Sequence, residues 1–265
     1  MIELSRRPYA YGTSHRLDEV VVDRGDGTRV TMLRKDLGPA EKPEFLHDPR
    51  RERVAYQILG RAGLGTPACH ESGEDWLLIE KVDGLELWQL GELETWVDVA
   101  RWLARLHARF ADELPVADGL LMYDSAFFEV WPERAVRKHP MLARLVADYG
   151  AVIAVLNRQP PTFIHGEFYA SNVLVAGARV APVDWEMAGI GPGVLDVAAL
   201  LSGWSDEQRT AIVAGYGAVP AEALAAARLH IAMQWLGWSP GWTPPPEHAR
   251  DWLAEALAAA QDLGI

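Results

Sequence analysis

The chain has a single cysteine among its 265 residues, Cys69, so no internal disulfide can form, and a reducing, cytoplasmic setting is expected. It lacks any uncharged apolar run long enough to span a bilayer. The first residues, MIELSRRPYA, lack the apolar stretch of a signal peptide. It is poor in positive charge: 25 Lys and Arg against 37 Asp and Glu leave a formal net charge of −12. That balance argues against nucleic acid and anionic lipid as main partners and leaves room for a cationic small molecule. Biased tracts, internal repeats and long linkers are also missing, and the composition is that of a globular chain.

What is present divides into two textures. Residues 19–23 (EVVVD) and 29–34 (RVTMLR) are rich in β-branched residues and flank Gly25-Asp26-Gly27, which predicts a hairpin. From Asp48 a helical pattern places Val54, Ile58 and Ala62 on one face and stops at Gly63, Gly65 and Pro67. Trp76 to Val82 reads as a strand. After Leu93, Trp96, Val99, Leu103, Leu106 and Phe110 recur at steps of three and four, which predicts an amphipathic helix. Further helices are expected over Pro140–Asn157, Ala221–Leu236 and Glu247–Leu263, interrupted by loops and two short strands between Gln159 and Gly193. The boundary falls in 83–93, giving pieces 1–83 and 84–265.

The chemistry concentrates in FIHGEFYASNVLV, Phe163 to Val175. An acid two residues after a histidine, with an asparagine five residues later, has the spacing of a phosphoryl-transfer loop. Here the acid is Glu167 and the asparagine Asn172. Twelve residues on, Asp184 follows a short strand in VDWE, which sets a carboxylate at the edge of a cleft. Asn172 and Asp184 are hard oxygen donors of the kind magnesium takes. Glu186, two residues further, is open to a metal role or to bracing the loop.

The run FIHGEFYASNVLVAGARVAPVDWEMAGIGPGVLDVAAL resembles the aminoglycoside phosphotransferase and choline kinase-like family, with HGE in place of that family's HGD. The helix VARWLARLHARF, with His107, resembles another of its segments. The resemblance is strong over 95–205, weaker over 1–94 and not evident beyond 206. It implies an α+β, two-lobed protein-kinase-like fold. A small antiparallel sheet and one helix would form the N-terminal nucleotide-binding lobe, and mainly helical structure the C-terminal lobe for catalysis and acceptor binding. It implies ATP or GTP as co-substrate with Mg²⁺, and a small hydroxylated acceptor. Position by position, Glu167 matches the catalytic acid, Asn172 and Asp184 the metal ligands, and His165 and Asp196 the residues that support the loop. Lys35 matches the lysine that reaches the phosphates, with Arg34 as rival, and Glu52 matches its helix partner. Just before the first strand, Thr13 and Ser14 are open between meeting phosphate and serving as turn residues, and backbone atoms of Glu80 and Val82 are expected to meet the purine. Tyr123 and Asp124 lie where acceptor contacts or helix packing are expected. Trp235, Trp238 and Trp242 read as core packing rather than an acceptor pocket. A nucleotide-binding pseudokinase, with Glu167 marking lost turnover, is the alternative from another class.

Overall fold

The computed structural model describes residues 1–9, 15–38, 42–238 and 250–265. Thr13, Ser14, Trp242 and the first turn of the helix expected from Glu247 lie outside the described residues.

The first part is a five-stranded antiparallel sheet with one helix. Strands β1 (Ile2–Pro8), β2 (Leu17–Asp23) and β3 (Arg29–Asp36) are followed by α1 (Arg50–Ala62), β4 (Cys69–Ser72) and β5 (Trp76–Glu80), in the sheet order β1-β2-β3-β5-β4. The expected hairpin is β2–β3, and Gly25 and Gly27 both take positive φ in its turn. Strand β1 is not evident in the sequence because its seven residues are all exposed and the apolar alternation of Ile2 and Leu4 stops at Ser5-Arg6-Arg7-Pro8.

Strand alternation sorts the sheet's two faces. Leu77 and Ile79 pack under α1 in the main core, whereas Val20, Val22, Met32 and Leu78 form a separate apolar layer on the other face. The helix face differs from the expected one. Arg51, Glu52, Ala55, Tyr56 and Leu59 are buried, while Val54, Ile58 and Ala62 are only partly covered. Two charged residues turn inward because partners await them there, which shifts the buried stripe by one position.

The sheet ends at Glu80, and the next strand, β6 (Leu85–Glu86), already belongs to a second sheet. Helix α2 (Leu93–Arg109) buries the predicted stripe together with Val97, Ala100 and Trp102. Then come β7 (Leu121–Met122), α3 (Ser125–Lys138), α4 (Ala143–Ala147) and α5 (Gly150–Asn157). The single helix expected over 140–157 is therefore broken. A 3-10 turn, α4 and α5 share it, with a 55° bend at the break, where Gly150 carries no side chain to hold the line. Strands β8 (Pro161–Ile164), β9 (Val173–Ala176), β10 (Arg179–Pro182) and β11 (Gly189–Pro192) build two small sheets, β10-β9-β6 and β7-β11-β8. Helices α6 (Val194–Leu200), α7 (Asp206–Tyr216), α8 (Ala221–Gly237) and α9 (Trp252–Leu263) complete the order. Helix α8 packs on α3, α5, α6 and α9, and α2 on α7, so α8 is the centre of the helical part. No single helix among the described residues is long and apolar enough to cross a membrane.

Candidate active site

A cleft of about 930 Å³, measured out into its open mouth, lies between the five-stranded sheet and the β9–β10 region. Leu17, Leu33, Ile79, Val82 and Leu174 give it apolar walls, and Lys35, Glu52, Asn172 and Asp184 converge at one end. An apolar slot with a few converging polar groups is the usual form of a cofactor or nucleotide site.

Lys35 reaches this end because β3 alternation points it beneath the sheet. Its Nζ lies 2.7 Å from Glu52 of α1 and 2.5 Å from Asp184 Oδ1. Arg34, one residue earlier, lies on the opposite face, its guanidinium 4.0 Å over the Trp76 ring. Burial alone would push the Lys35 ammonium down, but Asp184 and Glu52 on either side hold it well above its ordinary range.

The loop from His165 to Asn172 is held from below by Asp196 in the first turn of α6. One Asp196 oxygen accepts from the Gly166 N–H at 2.8 Å, and the other from the His165 N–H at 2.7 Å and His107 Nε2 at 3.2 Å. Tyr216 closes that chain with its hydroxyl 2.8 Å from His107 Nδ1. His165 is fully buried: Nε2 donates to Val183 O at 2.9 Å and Nδ1 accepts the Glu167 N–H at 3.3 Å. Burial lowers its pKa, so it braces the loop as a neutral ring. Gly166 takes φ +84°, and a methyl group there would stand 2.1 Å from the Tyr123 hydroxyl and 2.4 Å from Met187 O. Those two atoms are themselves hydrogen-bonded at 2.6 Å. Tyr123 therefore backs the loop, and Asp124 caps α3 through the Phe127 N–H at 3.0 Å. Both are packing residues.

Asp184 is the one non-glycine described residue with positive φ, at 64°. Left-handed backbone costs an ordinary residue about 1–2 kcal/mol. The strain is spent on turning the carboxylate into the cleft, a frequent feature of functional sites. Asn172 donates its side-chain N–H to Glu167 O at 3.0 Å, which fixes the orientation of its amide, and the residue lines the cleft. The Val183 N–H donates to Asn172 O at 2.9 Å, tying the two oxygen-bearing segments together. Among the described residues no group of three or more His, Cys, Asp and Glu gathers as a metal cage. One carboxylate and one amide oxygen in an open cleft instead fit Mg²⁺, which keeps waters and phosphate oxygens in its shell.

Glu167 lies on the same loop, five residues before Asn172. Burial, then the nearby carboxylates of Glu186 and Asp184, push its carboxyl well above the usual range, partly offset by Lys42 and Lys35. Glu186 is tied down: its Oε2 accepts from His15 Nε2 at 2.8 Å and Lys42 Nζ at 2.6 Å. Burial raises its carboxyl, but His15 and the two lysines outweigh that and hold it below the usual range. Arg51 donates to Leu46 O, Gly119 O and Glu186 O at 2.6, 2.8 and 2.9 Å, locking α1 to the segment after Asp184.

This order of parts agrees with the comparison by sequence. A family profile described as phosphotransferase enzyme family (APH) matches residues 10–230. The chain belongs to the phosphotransferase enzyme family. No curated protein matches it by sequence. Among solved structures, the choline kinase LicA from Streptococcus pneumoniae is similar at 15% identity and a TM-score of 0.67, with 99% of this chain and 94% of that chain covered. A choline kinase from Cryptosporidium parvum Iowa II is similar at 14% and 0.64, with 98% and 88% covered. A streptomycin–ATP–APH(2")-IIa ternary complex is similar at 14% and 0.61, with 99% and 92% covered. These likenesses carry the two-lobed, protein-kinase-like fold across the whole chain. The family match runs past residue 205, where the motif resemblance faded, because α7 and α8 keep the fold without distinctive residues.

Within this phosphotransferase, Lys35, Glu52, Asn172, Asp184 and Val82 share one cleft. Glu80 does not line it: its N–H donates to Ala68 O at 2.8 Å, and its carboxylate pairs with Arg179 at 2.5 Å. Trp235 donates to the Tyr169 hydroxyl at 2.7 Å and stacks on Trp252, and Trp238 stacks on Trp131. His15, Lys42 and Arg51 escaped the sequence reading. Arg51 had one signal, its place beside Glu52 on the helix. Lys42 had none, since a lysine in GPAEK is indistinguishable from a solvated loop residue.

Proposed function

We propose that this phosphotransferase moves the γ-phosphoryl group of ATP or GTP to a hydroxyl of a small acceptor. The supporting observation is the Lys35–Glu52–Asp184 cluster at the end of an apolar cleft, with Asn172 beside it. In this reading Lys35, set by Glu52, holds the α- and β-phosphates. Main-chain atoms around Val82 meet the purine, while Glu80 braces the strand end through Arg179. Asp184 and Asn172 hold Mg²⁺, which when bound neutralises charge between the phosphates. Glu167 orients the acceptor hydroxyl and takes its proton as the oxygen bonds to phosphorus and the bond to the β-phosphate breaks. His165 and Asp196 hold the loop in place. Solved relatives named for choline and for aminoglycosides point to an amino alcohol or aminoglycoside-like acceptor, and the two lobes meet near residue 83.

Thermal unfolding tests the nucleotide half. ATP or GTP with Mg²⁺ is expected to raise the melting temperature of the wild type, and Asp184→Ala to abolish the magnesium-dependent part. Equal stabilisation of the variant removes Asp184 from the metal site. Nucleotide consumption across amino sugars, amino alcohols and sugars tests the acceptor half. Nucleotide binding with no turnover on any acceptor would favour the pseudokinase.

A further inference from the structure

Two side chains that meet beside Asp184's segment, Lys42 and His15, have no place in the function proposed above. Lys42 follows β3 and His15 precedes β2, and both turn onto Glu186, with Nζ and Nε2 at 2.6 and 2.8 Å from the same carboxylate oxygen. The Lys42 and Glu186 side chains are only 7% and 11% exposed. Burying a lysine against a carboxylate costs desolvation that the attraction seldom repays, so the pair is weak evidence of a stabilising role.

Its location suggests a different one. Glu186 lies two residues beyond Asp184, and both carboxylates act on Glu167. Lys42 and Lys35 both hold the Glu167 carboxyl down, so both stand near it. Lys35 is fixed at the Glu52–Asp184 end, where the inner phosphates are assigned. A phosphoryl group in transit lies between that end and Glu167, the stretch on which Lys42 bears. The transfer spreads negative charge over three equatorial oxygens and asks the protein for positioned positive charge.

We propose that Lys42 is a second phosphate-contacting cation, set over the terminal phosphoryl group of the nucleotide by Glu186, with His15 as a further positioning residue. The inference rests on the nucleotide reading above. Lys35 would then grip the part common to ATP and ADP, and Lys42 the part that only ATP carries.

Calorimetric titration of the whole protein with ATP and with ADP, each with Mg²⁺, separates these roles. The wild type is expected to bind ATP more tightly than ADP. Lys42→Met should weaken ATP by about tenfold, the order of one charge-assisted hydrogen bond to phosphate, and leave ADP within about twofold. Lys42→Arg should keep most of the preference, and His15→Phe should lose part of it. Arg34→Met, on the far face of the sheet, should behave as wild type. A melting temperature recorded for each variant shows that it is folded. Lys42→Met that keeps the ATP preference, or loses ATP and ADP affinity equally, overturns the proposal and makes Lys42 a structural tie. A wild type that binds both nucleotides without preference also overturns it. A wild type that binds neither removes the nucleotide reading itself, and that failure is seen before any variant is made.

Discussion

Glu167 stands where the family pattern has aspartate, one methylene longer and deep among other carboxylates. The two acids have similar intrinsic acidity, so position decides whether the longer one works. Glu167→Gln keeps the size and removes the proton acceptor. Turnover is expected to fall by roughly 10²–10⁴-fold with nucleotide affinity nearly unchanged, in steady-state kinetics against direct binding. Glu167→Asp draws the carboxylate back by about 1 Å and should also be slower, because alignment at that scale governs the rate. A markedly faster aspartate variant would instead make the natural glutamate an attenuating substitution. Arg34 and Lys35 give a second pair at this scale. Lys35→Ala should raise the nucleotide KM and cut turnover, and Arg34→Ala should do little, since its guanidinium packs on Trp76 away from the cleft. Equal effects from both would contradict that division of faces.

The loop and helix elements show what local pattern decides and where it stops. The hairpin turn at Gly25 and Gly27 and the α1 stop at Gly63 were legible because left-handed glycine positions are marked by residue type. Gly166 is marked the same way, but its second constraint comes from Tyr123 and Met187, which are distant in the chain. Gly166→Ala is expected to cost roughly 2–4 kcal/mol, combining the backbone penalty with displacement of a main-chain oxygen. Gly177→Ala, at φ +60° with nothing within 4 Å of the added methyl, should cost only about 1 kcal/mol. Urea denaturation of the two variants makes the comparison, and equal losses would show that the Tyr123–Met187 contact carries no weight. The face of α1 was misplaced because hydrophobic periodicity does not register Arg51 and Glu52, whose burial is set by carbonyls and a lysine from other elements. The break within 140–157 was missed for a related reason: α4 and α5 are each apolar enough to continue the other.

Across the whole molecule, the helical core carries a pH-dependent load at α8. His230 is 1% exposed, shares a hydrogen bond of 2.8 Å between Nδ1 and the Tyr149 hydroxyl, and leaves Nε2 without a partner. Burial lowers its pKa from 6.5 to about 3. The unfolded chain therefore takes up a proton below about pH 6.5 that the folded chain refuses until about pH 3. The stability that depends on a neutral His230 is complete above 6.5 and falls away as the pH drops. Relative to His230→Gln, the wild type should lose about 1.4 kcal/mol per pH unit through that window. Chemical denaturation of both proteins from pH 7 to 4 checks this, and parallel curves would mean His230 does not titrate as its burial requires.

Some of this protein could be read along the chain because it resides in short-range spacing. The His165–Glu167–Asn172 interval, Asp184 after its strand, the glycine turns and the 3.6-residue stripe of α2 each lie within a stretch that one element or loop defines. The two-lobed fold followed from the family resemblance that those intervals carry. The rest was decided only in three dimensions. That Lys35 and not Arg34 enters the cleft depends on which sheet face α1 covers. That Glu80 turns to Arg179, that Tyr123 backs Gly166, and that His15 and Lys42 meet on Glu186 all depend on segments brought together from 64 to 171 residues apart. Spacing along a chain constrains neighbours through the backbone. Partners at such separations are selected by burial and charge, which arise only once the lobes have packed.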